Sequence, residues 1–506
     1  MMGRLQLTGF AVTCLGLTLI LGACREPPAP SPTVQPPARP TPLPQDAIVE
    51  VFFNQSEASE YTDPYRQKQR AGDNLEQIIV NEILRARSSV DVAVQEFRLP
   101  RIAEALVDRR RAGVQVRVIL ENTYNRPWSA IPATERAKFD QRQQDRYQEM
   151  VKLADRDRDG SLSPQEIQTG DSLVVLKRGQ VPWIDDTADG SAGSNLMHHK
   201  FLVIDRQRVI ATSSNFTLSD THGDFKSPTS RGNANNLLKM DSREVAAAFT
   251  QEFEVMWGDG PGGKPNSRFG SKKPFRPAQT FQFGTTQVTV QFSPTTKKIA
   301  WANSTNGLIA RTLAMATQRV DLALFVFSDQ RLVDSLEPLA VQGLPIRALI
   351  DPQFAYRSYS EALDMLGVAV MASRKGQVRC QFEVGNRPWR QPIATVGVPR
   401  LPRGDLLHHK FGMVDDHTVI TGSHNWTEAA NLGNDETVLV IRSALVTAHF
   451  QREFDRLYRT AITGLPPAIQ RKAQKQLRQC EEGVGTAGDK GRSQTSKVQK
   501  QRKAEL

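Results

Sequence analysis

The polar phrase MHHKFLVIDRQRVIATSSNF, from Met197 to Phe216, returns in nearly the same form as LHHKFGMVDDHTVITGSHNW, from Leu407 to Trp426. Each copy contains His-x-Lys, an Asp five residues after the Lys, and a Ser-x-Asn further on. Longer matches surround both copies, because Val90–Phe97 (VDVAVQEF) parallels Val320–Phe327 (VDLALFVF) at an offset of 230 residues. A chain that spells one polar cluster twice within a longer repeat is predicted to fold into two related halves.

Each half alternates β-rich apolar runs with amphipathic helical stretches. A second pair of matching runs, Gly113–Glu121 (GVQVRVILE) and Gly343–Asp351 (GLPIRALID), follows a helical stretch in both halves. Strands that alternate with helices favour an α/β fold with crossover connections. We therefore predict two related α/β sandwich lobes.

Composition divides the chain further. The Gly- and Pro-rich segment 258–282 is predicted to link a first lobe, 47–257, to a second lobe, 283–465. Of the net charge of +11, the segment Arg471–Leu506 supplies more than half, with ten Lys or Arg against four Asp or Glu. This composition predicts a basic, disordered tail over 466–506 and a folded body that is only mildly basic.

The N-terminal residues 1–23 have the pattern of an export signal, with an apolar run too short to span a membrane comfortably. The run ends in LGAC, which resembles a bacterial lipoprotein cleavage box and predicts lipidation of Cys24. The Pro-rich segment 24–46 would then be a stiff tether, so we expect an exported chain that is lipid-anchored to the cell envelope. An ordinary signal peptide with a chance cysteine is the alternative. After cleavage only Cys380 and Cys480 remain, and the sequence leaves their pairing open.

The first half carries an insertion of about 20 residues, because the two His-x-Lys motifs lie 210 residues apart instead of 230. We place the insertion at about 136–170, where the sequence DRDRDGSLSPQE matches a calcium-binding EF-hand loop. Carboxylates stand at loop positions 1, 3 and 5, glycine at 6, a backbone carbonyl at 7 and glutamate at 12. Such oxygens suit a structural Ca²⁺ ion, and a solvated acidic turn is the alternative. The predicted ligands are Asp155, Asp157, Asp159, Ser161 and Glu166.

Each copy of the repeated phrase offers an imidazole, an ammonium and two neutral hydrogen-bonding groups. Alternation along the predicted strands KFLVID and KFGMVD puts the first His and the Lys on one face. Two facing sets can cleave a phosphodiester: one imidazole attacks phosphorus, and the other protonates the leaving alkoxide and later activates water. Lys and Asn would stabilise the phosphoryl charge, so no cofactor is predicted for catalysis. The candidates are His198, Lys200, Ser213, Asn215, His408, Lys410, Ser423 and Asn425.

The paired motifs resemble those of the phospholipase D superfamily, also called HKD phosphodiesterases. The resemblance covers roughly Ile48 to Leu465 and implies a two-lobed α/β/α sandwich with one active site at the lobe interface. It implies that the His, Lys and Asn of both motifs line the pocket, whereas Asp205 and Asp415 order the fold. It also adds Glu436 to the catalytic set, because a downstream Glu in this family often orients the opposite His.

The first copy departs from the family pattern at two positions. Asn235 stands where the second copy has Glu436, and Thr212 stands where the family has Gly. Only the second copy is complete, which lowers the expected rate. Family analogy makes His198 the nucleophile.

The motif selects a phosphodiester but not the rest of the substrate. A phospholipase D-type hydrolase of phospholipid head groups at a membrane surface fits the lipoprotein signal, and deletion of Arg471–Leu506 should then leave lipid cleavage nearly intact. A secreted endonuclease on DNA or RNA fits the basic tail, and Trp128 and Trp389, each in an NRPW repeat, could touch lipid, stack on bases or lie in the core. A third interpretation is a catalytically weak, calcium-stabilised lipoprotein. The presence of both His198 and Lys200 in the first motif argues against it. With both lobes in one chain, a monomer is expected.

Overall fold

Each half of the chain contains one mixed β-sheet in the computed structural model, which describes residues 39–191, 194–374 and 377–484. The predicted signal segment 1–23, the lipidation site Cys24 and most of the Pro-rich tether lie outside these ranges, as do residues 485–506 of the tail. From Pro40 onward the described residues form one compact unit, which contains both lobes.

The first half has nine strands and eight helices among the described residues. The strands are β1 (Val49–Phe53), β2 (Glu60–Thr62), β3 (Gln69–Ala71), β4 (Ser89–Val94), β5 (Gln115–Leu120), β6 (Trp183–Asp185), β7 (Lys200–Ile204), β8 (Arg208–Thr212) and β9 (Asn236–Asp241). The helices are α1 (Leu75–Leu84), α2 (Pro100–Arg111), α3 (Ala133–Arg136), α4 (Gln141–Ala154), α5 (Pro164–Gly170), α6 (Ser172–Arg178), α7 (Leu218–Thr221) and α8 (Arg243–Trp257).

The second half repeats this order with a longer sheet. Its strands are β10 (Gln279–Phe283), β11 (Thr286–Ser293), β12 (Val320–Leu324), β13 (Phe327–Ser328), β14 (Ile346–Ile350), β15 (Ser373–Arg374), β16 (Gln377–Val378), β17 (Val396–Val398), β18 (Lys410–Val414), β19 (Thr418–Gly422), β20 (Trp426–Thr427), β21 (Glu436–Arg442) and β22 (Ile462–Thr463). Its helices are α9 (Thr305–Leu313), α10 (Gln330–Val341), α11 (Glu361–Met365), α12 (Glu428–Leu432), α13 (Ala444–Tyr458) and α14 (Pro467–Val484).

The two sheets share one topology at their centres. The first runs β1-β9-β8-β7-β4-β5-β6 and the second runs β10-β11-β21-β19-β18-β12-β14-β17-β22. In each, the strands of the repeated apolar runs pair in parallel, β4 with β5 and β12 with β14, and α2 or α10 makes the crossover between them. The strand that carries the His-x-Lys motif lies antiparallel beside the first of these, β7 on β4 and β18 on β12.

Helices cover both faces of each sheet, as the predicted α/β/α sandwich requires. The outer faces carry separate apolar clusters, one including Leu75 of α1 and Leu176 of α6, the other including Leu313 of α9 and Leu336 of α10. The inner faces share a single cluster that contains side chains of both lobes, together with α8 and α13.

Aromatic rings cross between the lobes in this shared cluster. Phe53 of β1 packs edge-on against Phe450 of α13 with ring centroids 5.1 Å apart. Phe292 of β11 does the same against Phe249 of α8 at 5.1 Å. Each lobe therefore completes its core with a ring from the other.

The predicted linker is folded against the lobes. It includes a short 3-10 turn at Gly270–Lys272, and β10 begins before its predicted end at residue 282. Lys273 is buried and forms ion pairs with Glu252 of α8 and with Asp435, the residue before β21. The segment thus stabilises the junction of the two lobes instead of spacing them.

The tail differs from the sequence-based expectation. Instead of beginning a disordered segment at residue 466, the chain forms α14, and Cys480 near its end is disulfide-bonded to Cys380. The reason is tertiary: Ala473 packs against Leu363 and Val370, so the helix buries an apolar side despite its polar composition. No helix within the described ranges has both the length and the apolar composition needed to cross a membrane.

Candidate active site

The two repeated motifs meet at the lobe boundary, where each is hydrogen bonded to the opposite lobe. The N–H of His198 donates to the carbonyl of Asp435, at 3.0 Å, and the N–H of His408 donates to the carbonyl of Ala234, at 3.1 Å. Each histidine lies two residues before the first residue of its strand, β7 or β18. Both histidines are buried, with 6% and 7% of the residue surface exposed.

His198 is oriented by a carboxylate of the second lobe. Its Nδ1 lies 2.7 Å from Oε2 of Glu436, and Ser423 donates its hydroxyl to the same oxygen at 2.8 Å. Asn434 donates to the other carboxylate oxygen at 3.3 Å. Because the shared proton lies between Nδ1 and the carboxylate, Nε2 of His198 keeps its lone pair.

His408 has an amide in the corresponding place. Its Nδ1 lies 2.9 Å from Oδ1 of Asn235, and Ser213 donates to that oxygen at 2.7 Å. The Nδ2 of Asn235 donates to the carbonyls of Asp220 and Asn233, and this network assigns the orientation of the amide. Asn235 therefore accepts from Nδ1–H, which leaves Nε2 of His408 with its lone pair when the ring is neutral.

A carboxylate also lies near His408, although it makes no direct hydrogen bond to the ring. Oδ1 of Asp220 is 3.9 Å from Nδ1 of His408, and the residue is only 4% exposed. Its two oxygens accept from the side chain of Asn233 and from the N–H of Asn215. The first lobe thus keeps a negative charge beside His408 despite the Asn at position 235. The sequence analysis missed Asp220, whose counterpart in the second copy is Ala430.

Each lysine is held by the carbonyl of the histidine two residues before it. Nζ of Lys200 donates to the carbonyl of His198 at 2.9 Å and to Gln95 at 3.3 Å, while Nζ of Lys410 donates to the carbonyl of His408 at 2.6 Å. Both lysines are 1% exposed. Within the described residues neither has a carboxylate in ion-pair contact, so the two ammonium groups are available to an anion.

The electrostatics of the site reflect burial and the two lysines. Burial lowers the pKa of Lys200 to about 8, and the charges of Glu436 and Asp220 oppose that shift. Burial, reinforced by Lys200, lowers the pKa of Lys410. Burial and both ammonium groups lower the pKa of His198 and His408 well below the usual value. A bound phosphodiester anion would offset the lysines and raise the pKa of both histidines again.

The two motif asparagines bring further polar groups into the site. The side-chain oxygens of Asn215 and Asn425 are buried and have no hydrogen-bond partner within the described part of the chain. Buried amides are normally satisfied, so a ligand or water is the natural partner of each. Because a side-chain amide can present either its oxygen or its NH₂ group, both residues suit a phosphoryl oxygen.

The two motif aspartates lie away from the chemistry. The carboxylate of Asp205 accepts the N–H groups of Arg87, Ser88 and Ser89, and that of Asp415 accepts those of Thr317, Gln318 and Arg319. Both residues have a positive φ, 53° and 55°. Each therefore joins its strand end to the turn that leads into β4 or β12, a structural role.

The second histidine of each HHK triplet belongs to a network that the sequence analysis did not identify. Nε2 of His199 lies 2.9 Å from Glu252 of α8, and Nε2 of His409 lies 3.0 Å from Glu453 of α13. All four side chains are 3% exposed or less. These pairs lie on the inner face of each sheet and attach the catalytic strand to the long helix behind it.

Thr212 stands where the second copy has Gly422, and the backbone differs between the two positions. At the matching position Gly422 has φ +135°, and a Cβ there would lie 2.1 Å from the carbonyl of Thr437. Thr212 ends its strand without a positive φ, and its hydroxyl donates to the carbonyl of Asn236. The first lobe thus replaces a glycine-dependent turn with a side-chain hydrogen bond.

The predicted calcium loop is a helix–loop–helix in the structure, with α4 before it and α5 after it. Carboxylate oxygens of Asp155, Asp157 and Asp159 lie within 4.8 Å of one another. Gly160 at the turn has φ +83°, as the sixth loop position requires. Glu166 closes the loop and accepts from the N–H groups of Arg156 and Ser163.

The two tryptophans of the NRPW repeats are core residues. Trp128 is 8% exposed and packs with Met150 of α4, whereas Trp389 is 3% exposed in the outer cluster of the second lobe. Neither offers a ring face to a lipid or a base.

Comparisons with known proteins agree with this arrangement. The family described as "cardiolipin synthase, PLD-like domain" matches residues 79–257 and 309–458, which is more than half of the 506 residues. Mitochondrial cardiolipin hydrolase of Mus musculus is 27% identical over 150 residues, covering 30% of this chain and 56% of that protein. The Homo sapiens protein is 28% identical over 163 residues, covering 31% and 54%. The match thus spans little more than half the length of these relatives.

The solved structures that match are more distant in sequence. Phosphatidylserine synthase of Haemophilus influenzae is 11% identical, with a TM-score of 0.49, and the match covers 88% of this chain and 95% of that one. The phospholipase D family member Nuc of Salmonella typhimurium is 15% identical, with a TM-score of 0.24, and the match covers 41% and 93%.

Proposed function

Because this chain belongs to the PLD-like domain family, we propose that it is a phospholipase D-type hydrolase that cleaves phospholipid head groups through a phospho-histidine intermediate. One observation carries the proposal. His198 and His408 lie in one buried site, because each interacts electrostatically with both Lys200 and Lys410. Each ring is oriented at Nδ1 by an acceptor of the opposite lobe, and neither lysine has a carboxylate partner among the described residues.

In the first step Nε2 of His198 attacks phosphorus, and the bond from phosphorus to the leaving alcohol breaks. The proton on Nε2 of His408 passes to the leaving oxygen, so the head group departs as a neutral alcohol. Glu436 stabilises the positive charge on the His198 ring, because its carboxylate accepts a hydrogen bond from Nδ1–H. Lys200 and Lys410 neutralise the charge on the phosphoryl oxygens.

In the second step the neutral His408 takes a proton from water, and the resulting hydroxide attacks phosphorus. The phosphorus–nitrogen bond breaks, its electron pair returns to Nε2 of His198, and a phosphatidic acid leaves. The asymmetry of the two partners supports this division of roles. A carboxylate favours the positive ring that forms when His198 is phosphorylated, whereas the neutral Asn235 leaves His408 a stronger acid.

One observation favours lipid over nucleic acid. The curated relatives matched by sequence are named cardiolipin hydrolases.

The substrate class is tested by offering three phosphodiesters in parallel. The purified protein is incubated with phosphatidylcholine vesicles, cardiolipin vesicles and single-stranded DNA, and the His198→Ala/His408→Ala variant serves as the control. We expect release of a lipid head group that the double variant does not produce. Cleavage of single-stranded DNA with both lipids left intact would support the endonuclease reading and contradict the lipid one.

We further propose that the loop Asp155–Glu166 binds a structural Ca²⁺ ion. The donor set is made of oxygens, which this cation prefers, and one of them, Oδ1 of Asp155, is buried with no partner among the described residues. Asp155, Asp157, Asp159, the carbonyl of Ser161 and Glu166 would hold the ion. Its effect would be to tie α4 to α5 beside the small apolar cluster of the insertion.

We also propose that the protein is exported and anchored through Cys24, and acts as a monomer at the membrane. The support is the sequence LGAC followed by the Pro-rich tether, and a site assembled from both lobes of one chain. The anchor is tested by fractionating cells that produce the wild type or Cys24→Ser. The wild type should be found with membranes and the variant in the soluble fraction. A wild-type protein in the soluble fraction would contradict the anchor.

A further inference from the structure

Helix α14 presents a row of basic side chains away from the protein. Arg471, Lys475 and Arg478 recur at spacings of four and three, so they share one helical face, and all three are exposed. Within the described part of the chain none of them has a hydrogen-bond or ion-pair partner. Ala473 and Gln476, on the opposite face, are 6% and 4% exposed.

The basic helix is held in place. Gln476 accepts from the N–H of Met371 at 2.9 Å and donates to its carbonyl at 3.0 Å, and both bonds are buried. The disulfide between Cys480 and Cys380 holds the last turns of the helix to the loop that follows β16. The row therefore has a defined position on the second lobe, which a flexible tail would not give it.

Large apolar side chains are exposed on α14 and on the loop that is disulfide-bonded to it. Leu477, on the flank of the helix between the basic row and the buried face, is 44% exposed, and Phe382 and Val384 of the loop are 40% and 86% exposed. Val384 follows Cys380 by four residues, so its Cα lies within roughly 14 Å of that of the cysteine. A helix with one basic face and exposed apolar side chains on and near it is the combination that interfacial membrane binding uses.

The segment that packs against α14 also reaches the catalytic histidine. The segment after β14 carries Phe354, whose ring centroid is 4.7 Å from that of Phe325, and the Phe325 ring is 4.8 Å from that of His408. Further along the same segment, Tyr356 and Leu363 pack in one apolar cluster with Ala473 of α14. One continuous segment thus connects the active site with the helix that carries the basic row.

We propose that α14 and the loop 380–384 form a docking surface for an anionic phospholipid membrane, which brings the active site to its substrate. The row of Arg471, Lys475 and Arg478 would lie on the lipid phosphates, and Phe382, Val384 and Leu477 would enter the interface. A nucleic acid backbone would account for the charges but not for the exposed apolar side chains. This docking surface rests on the proposed lipid function for its biological purpose. The vesicle-binding experiment that tests it does not require lipid cleavage.

Binding is measured by vesicle flotation with the full chain carrying Cys24→Ser, so that no lipid anchor contributes. Vesicles contain either phosphatidylcholine alone or phosphatidylcholine mixed with phosphatidylglycerol. The variant Arg471→Gln/Lys475→Gln/Arg478→Gln should bind the mixed vesicles more weakly, on the order of tenfold to a hundredfold. The matched control Lys297→Gln/Lys298→Gln/Arg311→Gln removes the same charge from exposed positions elsewhere on the second lobe and should bind as before.

A second measurement locates the contact. Val384→Trp should be quenched by brominated lipids in mixed vesicles, and the quenching should disappear when the three basic residues are also replaced. Hydrolysis of a water-soluble phosphodiester, with bis(p-nitrophenyl) phosphate as the probe, should be unchanged in all of these variants and so reports that the site is folded.

The two proposals fail separately. Equal vesicle binding by the triple variant and the control, or no quenching of Trp at position 384, would overturn the docking surface even if lipids are cleaved. Single-stranded DNA binding that depends on the row, without vesicle binding, would also overturn it. Loss of vesicle binding by the row variant alone would support the surface, even if the substrate panel shows no lipid cleavage.

Discussion

Glu436 of the second lobe and His198 of the first lobe are joined by a hydrogen bond of 2.7 Å, although 238 residues separate them. The corresponding partner of His408 is the amide oxygen of Asn235, at 2.9 Å. The active site is thus built by exchange, since each lobe orients the histidine of the other. The two halves of the site also differ, because only His198 is hydrogen bonded to a carboxylate.

The negative charge of Glu436 should be needed for turnover, beyond the hydrogen bonds that its side chain makes. We expect Glu436→Gln to lower turnover of a soluble phosphodiester on the order of 10²- to 10⁴-fold, because an amide cannot stabilise the positive His198 ring. Asn434→Ala is the control, since it removes a hydrogen bond to the same carboxylate without touching the ring. Equal losses in the two variants would mean that Glu436 only supports packing.

The assignment of His198 as the nucleophile can be tested by trapping. With a p-nitrophenyl diester the leaving group needs no protonation, so His408→Ala should still form the phospho-enzyme but hydrolyse it slowly. Mass spectrometry should then find the added phosphoryl group on His198. The reciprocal variant, His198→Ala, should show no adduct. A phosphoryl group on His408 in that variant would reverse the two roles.

Asp220 should act through His408. Its carboxylate lies 3.9 Å from Nδ1 of the ring, so it favours the protonated ring that a general acid requires. We expect Asp220→Asn to slow cleavage of a diester with an alkyl leaving group about 10- to 100-fold, and to change p-nitrophenyl diester cleavage little. Asp224→Asn, which replaces a half-buried carboxylate just after α7, is the control. Equal slowing of both substrates would indicate a purely structural role.

The pH dependence should report the buried lysines. Burial lowers the pKa of Lys200 to about 8, so its ammonium is charged below that pH and neutral above it. We therefore expect kcat/KM for a soluble diester to fall as the pH rises through about 8, because the phosphoryl anion loses a positive partner. In Lys200→Arg the guanidinium stays charged, so the fall should move to higher pH whatever the absolute rate. A wild-type profile that stays level to pH 10 would contradict this.

Calcium should stabilise the protein without taking part in the chemistry. A ligand that binds only the folded state adds about 2.7 kcal/mol at a free concentration 100-fold above its Kd. EDTA should therefore lower the Tm, and added Ca²⁺ should restore it. Asp157→Asn/Asp159→Asn should have the lower Tm with or without EDTA. The same Tm for the wild type in both conditions would contradict the loop assignment.

Much of the site followed from the sequence because its residues come in two copies. The spacing of His198 from Lys200 predicted both side chains in one site, and Lys200 lies close enough to His198 to lower its pKa. The helix–loop–helix around Asp155 also followed, because each loop position has a distinct chemical requirement. Within each copy and within the loop, the informative residues lie close together in the sequence, so their pattern can be recognised without the structure.

What the sequence did not reveal depends on contacts between distant segments. The carboxylate of Asp220 has no counterpart in the second copy, so only the folded chain shows that α7 places it beside His408. The polar composition of 467–484 predicted disorder, but packing of Ala473 and the disulfide at Cys480 order the helix. The earlier expectation that deletion from Arg471 onward would be harmless therefore needs revision, since the deletion removes α14 from the second lobe.

The rings exchanged between the lobes also bear on how the enzyme can move. Separating the lobes would expose Phe53, Phe292 and the side chains packed on them to water, which links opening of the interface to global unfolding. A hinge motion of one lobe against the other is therefore a costly route for turnover. We therefore expect substrate to reach the site by movement of smaller elements at its rim, and the two halves to unfold as one cooperative unit.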